Sequence, residues 1–241
     1  MEIRLRNNLT NAVELTATDA LHVEFAGDLA CPFSYLGFTR LRQALAQLET
    51  GQPHVIRWLP FQLHSDIPHW GIDFDSFLTR RFGSRDQVEP ALAQITELGR
   101  ESGITFDFAR ISQVPNTLDA HRLVLLAQDQ GKHVDFIDRL YRAVFAQGLN
   151  IGDRETLTGL AASSGLDFAR TDALLRGDAN NMTVQAMDTN HRLQGVLSVP
   201  HYVFNARVAV AGVQDTDTLI TALDYALFQP MPEIGDRANL H

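Results

Sequence analysis

Residues Leu21–Phe38 read LHVEFAGDLACPFSYLGF. Two periodicities meet inside them. Leu21, Val23 and Phe25 alternate with His22 and Glu24, the two-residue period of a strand with one buried face. Beyond Cys31 the period lengthens. Pro32 suits a first helical position, because its missing N–H would be unpaired there in any case. Leu41, Leu45 and Leu48 then fall on one face at helical spacing, and Gly51 is the expected stop. VIRWLPF, Val55–Phe61, is a buried-strand run that completes a β-α-β unit.

Working outward, Phe74 to Arg192 is helical in pattern, with few strand candidates. TLDAHRLVLLAQDQGK presents Leu118, Leu123, Leu126 and Ala127. DFIDRLYRAVFAQG presents Phe136, Leu140 and Val144 before Gly148. DRETLTGLAASSG begins with a capping Asp153 and closes at Gly165, and Asp178–Arg192 predicts one more helix. Strand character returns after Pro200. HYVF and RVAV flank Asn205–Ala206, a two-residue hairpin loop in which Ala206 fits a positive φ worse than glycine. DTDTLITALDYAL is a final helix with Asp215 as its cap, and the chain after Pro230 looks irregular.

The resulting order is β-α-β, a helical block, then β-β-α. That is the order of a thioredoxin-like α/β fold with a large all-helical insertion. The expected parts are an N-terminal extension (1–19), a discontinuous thioredoxin-like domain (20–64 plus 195–229), the helical insertion (65–194) and a C-terminal tail (230–241). The extension has no assigned role; VELTATD within it offers an edge strand or a dimer contact.

The 241 residues suffice to bury a sizeable core. A formal net charge of −9 with no basic cluster argues against general affinity for nucleic acid or anionic lipid. No apolar run approaches the ~20 residues that span a bilayer. The start lacks a signal-peptide pattern, so the expected location is cytoplasmic.

Cys31 is the single cysteine, so no internal disulfide can form. The nucleophile of thiol chemistry is the thiolate, and a helix N-terminus stabilises it with unpaired N–H groups and partial positive charge. Ser34, one turn on, can donate a hydrogen bond to it. These placements predict a reactive, partly exposed thiol; the alternative is an inert buried cysteine. A proline opening a returning strand, as in SVPHYVF, often has a cis peptide bond; Val199–Pro200 would then bring its backbone to the sulfur. The alternative is an ordinary strand-start proline.

CPFSYLGFTRLRQAL, LPFQLHSDIP, VPNTLDAHRLVLLAQDQGK, LYRAVFAQGLNIGDRETLTGLAASSGL and SVPHYVFNARVAVAGVQ occur in order between residue 21 and about 228. Together they resemble the FrnE-like branch of the DsbA family. The resemblance implies a thioredoxin fold with a helical insertion, a nucleophilic Cys31 and a cis-proline at Pro200. Ser34 departs from it. Oxidoreductase members carry Cys-Pro-x-Cys, whereas kappa-class glutathione transferases and 2-hydroxychromene-2-carboxylate isomerases carry Ser-Pro-x-Ser or a close variant. Relatives also usually show Asn-Gly where this chain has Asn205–Ala206.

A lone Cys31 can form a mixed disulfide but has no internal thiol to resolve it. The leading expectation is a thiol–disulfide oxidoreductase that borrows an external thiol such as glutathione. The alternatives are a glutathione-dependent isomerase or transferase, and a non-catalytic peptide-binding protein. Cys31, Ser34 and Pro200 are the expected catalytic residues. Pro32, Phe33, Asn116, Thr117, Val199, His201, Gln214 and Asp215 are the expected substrate-binding residues. An imidazolium at His201 would lower the thiol pKa. Asn116, Thr117 and Asp215 are explained equally well as helix caps. His64, Asp66 and His69 make a weak metal candidate, so no metal and no tightly bound cofactor are expected, with glutathione a possible co-substrate. The expected partner is a thiol or disulfide substrate, protein or small molecule, with a homodimer possible.

Overall fold

A computed structural model describes residues 4–5, 20–48 and 53–228. The central sheet has strand order β1-β7-β6-β2-β3. Its strands are β1 (Arg4–Leu5), β2 (Leu21–Gly27), β3 (His54–Pro60), β6 (His201–Phe204) and β7 (Val208–Ala211). β2 and β3 run parallel, joined through helix α1 (Pro32–Gln47). β6 lies antiparallel to β2, β7 antiparallel to β6, and helix α9 (Thr216–Phe228) follows β7 and packs on α1. This is the thioredoxin-like order.

Between β3 and β6 come α2 (Phe74–Phe82), α3 (Arg85–Glu101), α4 (Leu118–Asp129), α5 (His133–Phe145), α6 (Arg154–Ser163), α7 (Phe168–Arg176) and α8 (Asn181–Leu193). Two-residue strands β4 (Ile72–Asp73) and β5 (Gln113–Val114) pair antiparallel within this block. They are too short to leave a periodic signal. α8 starts three residues after the expected Asp178. Asn180 takes a left-handed φ of 66° at its N-cap, which separates the preceding turn from the helix.

Sheet and helices share one apolar core. Phe25 on β2 stands opposite Trp58 on β3 and Tyr202 on β6, with ring centroids 5.5 and 5.2 Å away. Phe38 of α1 meets Phe25 edge-on at 5.2 Å. Tyr35 of α1 stacks on Tyr141 of α5 at 4.8 Å, tying the helical block to α1. The outer edge of β3 is covered by side chains. The Trp58 N–H donates to Gln128 Oε1 at 2.8 Å, and His133 Nε2 lies 2.6 Å from the Ile56 carbonyl oxygen.

The hairpin adopts positive φ at Asn205 (49°) and Ala206 (53°). Arg207 N–H closes the turn on the Phe204 carbonyl at 2.9 Å. An edge strand comes from the N-terminal segment, but at Arg4–Leu5, paired with β7. VELTATD, Gly51 and the tail after Pro230 lie outside the described residues.

Candidate functional site around Cys31

β2 ends at Gly27, and four residues carry the chain to α1. Cys31 is the N-cap of α1 in extended conformation, with Pro32 in the first turn. The N–H groups of Phe33 and Ser34 and the Ser34 hydroxyl are directed at the sulfur. The helix N-terminus therefore favours the anion, as the sequence predicts. Burial reverses the outcome. Cys31 is 6 % exposed, not partly open, and burial followed by the charge of Asp28 pushes the thiol up to about 11. The expectation of a partly exposed, readily ionised thiol is corrected here: removing the thiolate from water costs more than three hydrogen-bond donors return.

Asp28 is the main residue that sequence reasoning passed over. It is buried, and its carboxylate oxygens accept the N–H groups of Ala30 (2.9 Å) and Leu63 (2.7 Å). The Thr117 side chain hydrogen-bonds it as well. Burial still raises its pKa. Tyr141, also fully buried, donates from its hydroxyl to the Asp28 carbonyl at 3.3 Å and approaches Ser34 and Cys31. Ser34 is fully buried too, and its Oγ accepts the Asp28 N–H at 3.2 Å. Asp28 is visible in the sequence as an acid three residues before Cys31. Nothing local marks Tyr141, which reads only as one more apolar-face residue of α5.

The Val199–Pro200 peptide is cis. Val199 packs in a small apolar cluster with Cys31, Ala26, Leu59, Phe61 and Val196. Gly37 of α1 allows the proline loop to approach, since a Cβ there would lie 2.6 Å from Pro200 Cγ. His201 opens β6, half-buried, paired with Ala26 and Ala211.

A cavity of about 170 Å³ lies beside Cys31. Pro32, Phe33 and Thr117 share its wall with Cys31, and Asp28 and His64 join them. The remaining wall is mostly apolar and comes from the helical block. Ser34, Asn116, Val199, Pro200, His201, Gln214 and Asp215 do not line it. Asn116 accepts from Leu118 N–H at 2.9 Å and donates to the Ile67 carbonyl at 2.6 Å. Asp215 accepts from Thr218 N–H at 2.7 Å, and the Gln214 carbonyl accepts from Arg40 of α1 at 3.2 Å. His64 meets the Phe77 ring edge-on at 5.0 Å. Among the described residues no three His, Cys, Asp or Glu side chains group to hold a metal ion.

The family model described as "DSBA-like thioredoxin domain" matches residues 22–224. The chain belongs to the DSBA-like thioredoxin family. The probable DsbA oxidoreductase SCO1869 of Streptomyces coelicolor is 28 % identical, with a TM-score of 0.79 over 88 % of this chain and 92 % of that one. Two further members of the fold resemble this DSBA-like chain in structure. The cytosolic disulfide reductase DsbM of Pseudomonas aeruginosa, solved with glutathione, has a TM-score of 0.56 at 19 % identity, covering 86 % of this chain and 96 % of its own. A 2-hydroxychromene-2-carboxylate isomerase has a TM-score of 0.60 at 17 % identity, covering 83 % and 91 %. Among the described residues of this DSBA-like chain, no helix is long and apolar enough to cross a membrane.

Proposed function

We propose that this DSBA-like protein exchanges disulfides through Cys31 alone. The observation that carries the reading is the sulfur's position. It caps α1 under the N–H groups of Phe33 and Ser34, packs beside Val199 of the cis-proline loop, and forms part of a cavity wall. The Cys31 thiolate attacks one sulfur of a disulfide, a Cys31–S–S bond forms, and the other half leaves as thiolate. An external thiol, glutathione in a cytoplasmic setting, then attacks the mixed disulfide and restores Cys31. Electrons balance: one turnover exchanges the incoming disulfide for one thiol and one mixed disulfide with the external thiol, and a second equivalent of that thiol completes the reduction to two thiols as its own disulfide forms. Segments 20–64 and 195–229 hold the sulfur in this reading, and 65–194 shapes what reaches it. Ser34 donates to the thiolate, while Pro32, Phe33, Thr117 and Val199 bound the substrate.

A second reading is favoured by the high thiol pKa. A protonated Cys31 and a buried Ser34 hydroxyl suit polarising a bound thiol without exchange, in a glutathione-dependent isomerase or transferase.

Intact-mass measurement after incubation with glutathione disulfide separates the two. One adduct on Cys31, removed by free glutathione and absent in Cys31→Ser, is the expected result. No adduct on the native chain, with ready reaction once the chain is denatured, would overturn the exchange reading in favour of the second.

A further inference from the structure

The cavity beside Cys31 is more specific than a general thiol site requires. At about 170 Å³ it is close to the ~150 Å³ of an apolar protein cavity that holds one benzene ring. Phe74, Phe77, Phe82, Phe108 and Phe145 contribute to its wall, and they offer the edge and face contacts that aromatic rings favour. Glutathione is a poor fit. Its charged ends and two peptide groups would lose water against these rings without partners.

The rim supplies a charge. Arg81, at the end of α2, lines the cavity and is exposed, and it makes no ion pair among the described residues. His64 and Gln113 are the other exposed polar lining residues. Asp28 is the one carboxylate in the wall, and its oxygens are already taken by Ala30, Leu63 and Thr117. A planar guanidinium left over at the mouth of an apolar cavity matches a carboxylate on the ligand.

We infer that the cavity seats an aryl group bearing a carboxylate, carried on the sulfur that exchanges with Cys31. The inference deepens the exchange reading and rests on it. The Cys31 thiolate attacks the sulfur of an aryl disulfide that carries the seated ring. The Cys31–S–S–aryl bond forms and the second aryl thiolate leaves; an alkyl thiolate such as that of glutathione then attacks the seated aryl sulfur, the aryl group departs as an aryl–alkyl disulfide, and Cys31 is returned as thiolate.

Two measurements test this and keep it apart from the reading beneath it. The first needs no sulfur chemistry: titration of benzoate into the Cys31→Ser protein by calorimetry. Saturable binding is expected, weakened about tenfold by Arg81→Ala, the size of one charge-assisted hydrogen bond, and abolished by Ile95→Trp, which fills the cavity. Benzyl alcohol should bind the wild type and Arg81→Ala equally. The second measurement follows the wild type with 5,5′-dithiobis(2-nitrobenzoate). Its rate should saturate with concentration and drop at least tenfold in Arg81→Ala. Absence of benzoate binding, or benzoate affinity unchanged in Arg81→Ala, overturns the inference even where glutathione disulfide still modifies Cys31. Benzoate binding with no exchange from either disulfide overturns the exchange reading, and this inference with it.

Discussion

Cys31 and Asp28 are two buried acids three residues apart, and each is harder to ionise than in water. Iodoacetamide labelling of the native protein against pH should give a midpoint near 11, above the 9.0 of an ordinary thiol. Asp28→Asn removes the nearby charge but leaves the burial. Its midpoint should fall, remain above 9.0, and labelling at pH 8 should accelerate. An unchanged midpoint would mean that burial alone sets the value. His121 poses the opposite case. It is fully buried, accepts the Trp58 indole N–H at 3.2 Å, and burial lowers its pKa from 6.5 to about 3. The unfolded chain takes up this proton first as pH falls. The stability His121 contributes is therefore whole above pH 6.5 and is lost between 6.5 and about 3, at up to ~1.4 kcal/mol per pH unit. Asp28 runs the other way, its contribution lost as pH rises. Comparing urea melts of wild type and His121→Gln at pH 7, 5 and 4 isolates the histidine; parallel curves would refute the assignment.

At the scale of elements, α1 is held to the proline loop by the lack of a side chain at Gly37. Alanine there gains up to ~1 kcal/mol of helix propensity. Its Cβ would also lie 2.6 and 2.9 Å from two carbons of Pro200 and overlap the Tyr202 hydroxyl. The clash should win, with Gly37→Ala destabilising by about 1–3 kcal/mol in urea melts. The hairpin offers the reverse. Ala206 sits at φ 53°, where an L side chain is strained. Ala206→Gly should stabilise by about 0.5–1 kcal/mol, less than the full strain because the unfolded chain also gains freedom. Most elements were legible because each carries a long apolar repeat: α1, α4, α5 and the strands either side of Cys31. Asp153 caps α6 by accepting Thr156 N–H at 2.8 Å, where a short polar side chain before a periodic run announces it. β4 and β5 were not legible, since two residues define no period.

Across the whole molecule, the sheet and the inserted helices bury their apolar faces in one core through Tyr35, Tyr141 and Phe145. Unfolding should therefore be a single cooperative transition. Fluorescence of the buried Trp58 and far-UV circular dichroism should give coincident urea curves, and separated curves would show that the helical block melts independently. The site was legible only where chemistry is local. Cys31, Pro32 and Ser34 declare themselves within four residues. The depth of the sulfur, the partners of Asp28 and the aromatic cavity depend on α2, α4 and α5 meeting α1, and no short-range pattern encodes that meeting.

The covered flank of β3 has a consequence for how copies of this protein behave together. Exposed strand margins let folded chains share a backbone ladder, the usual first step in sheet-to-sheet stacking. Here Gln128 and His133 occupy the donor at Trp58 and the acceptor at Ile56. A neighbouring molecule arriving at that flank finds the central donor and acceptor already engaged, so the stretch left to template an added strand is interrupted at its middle.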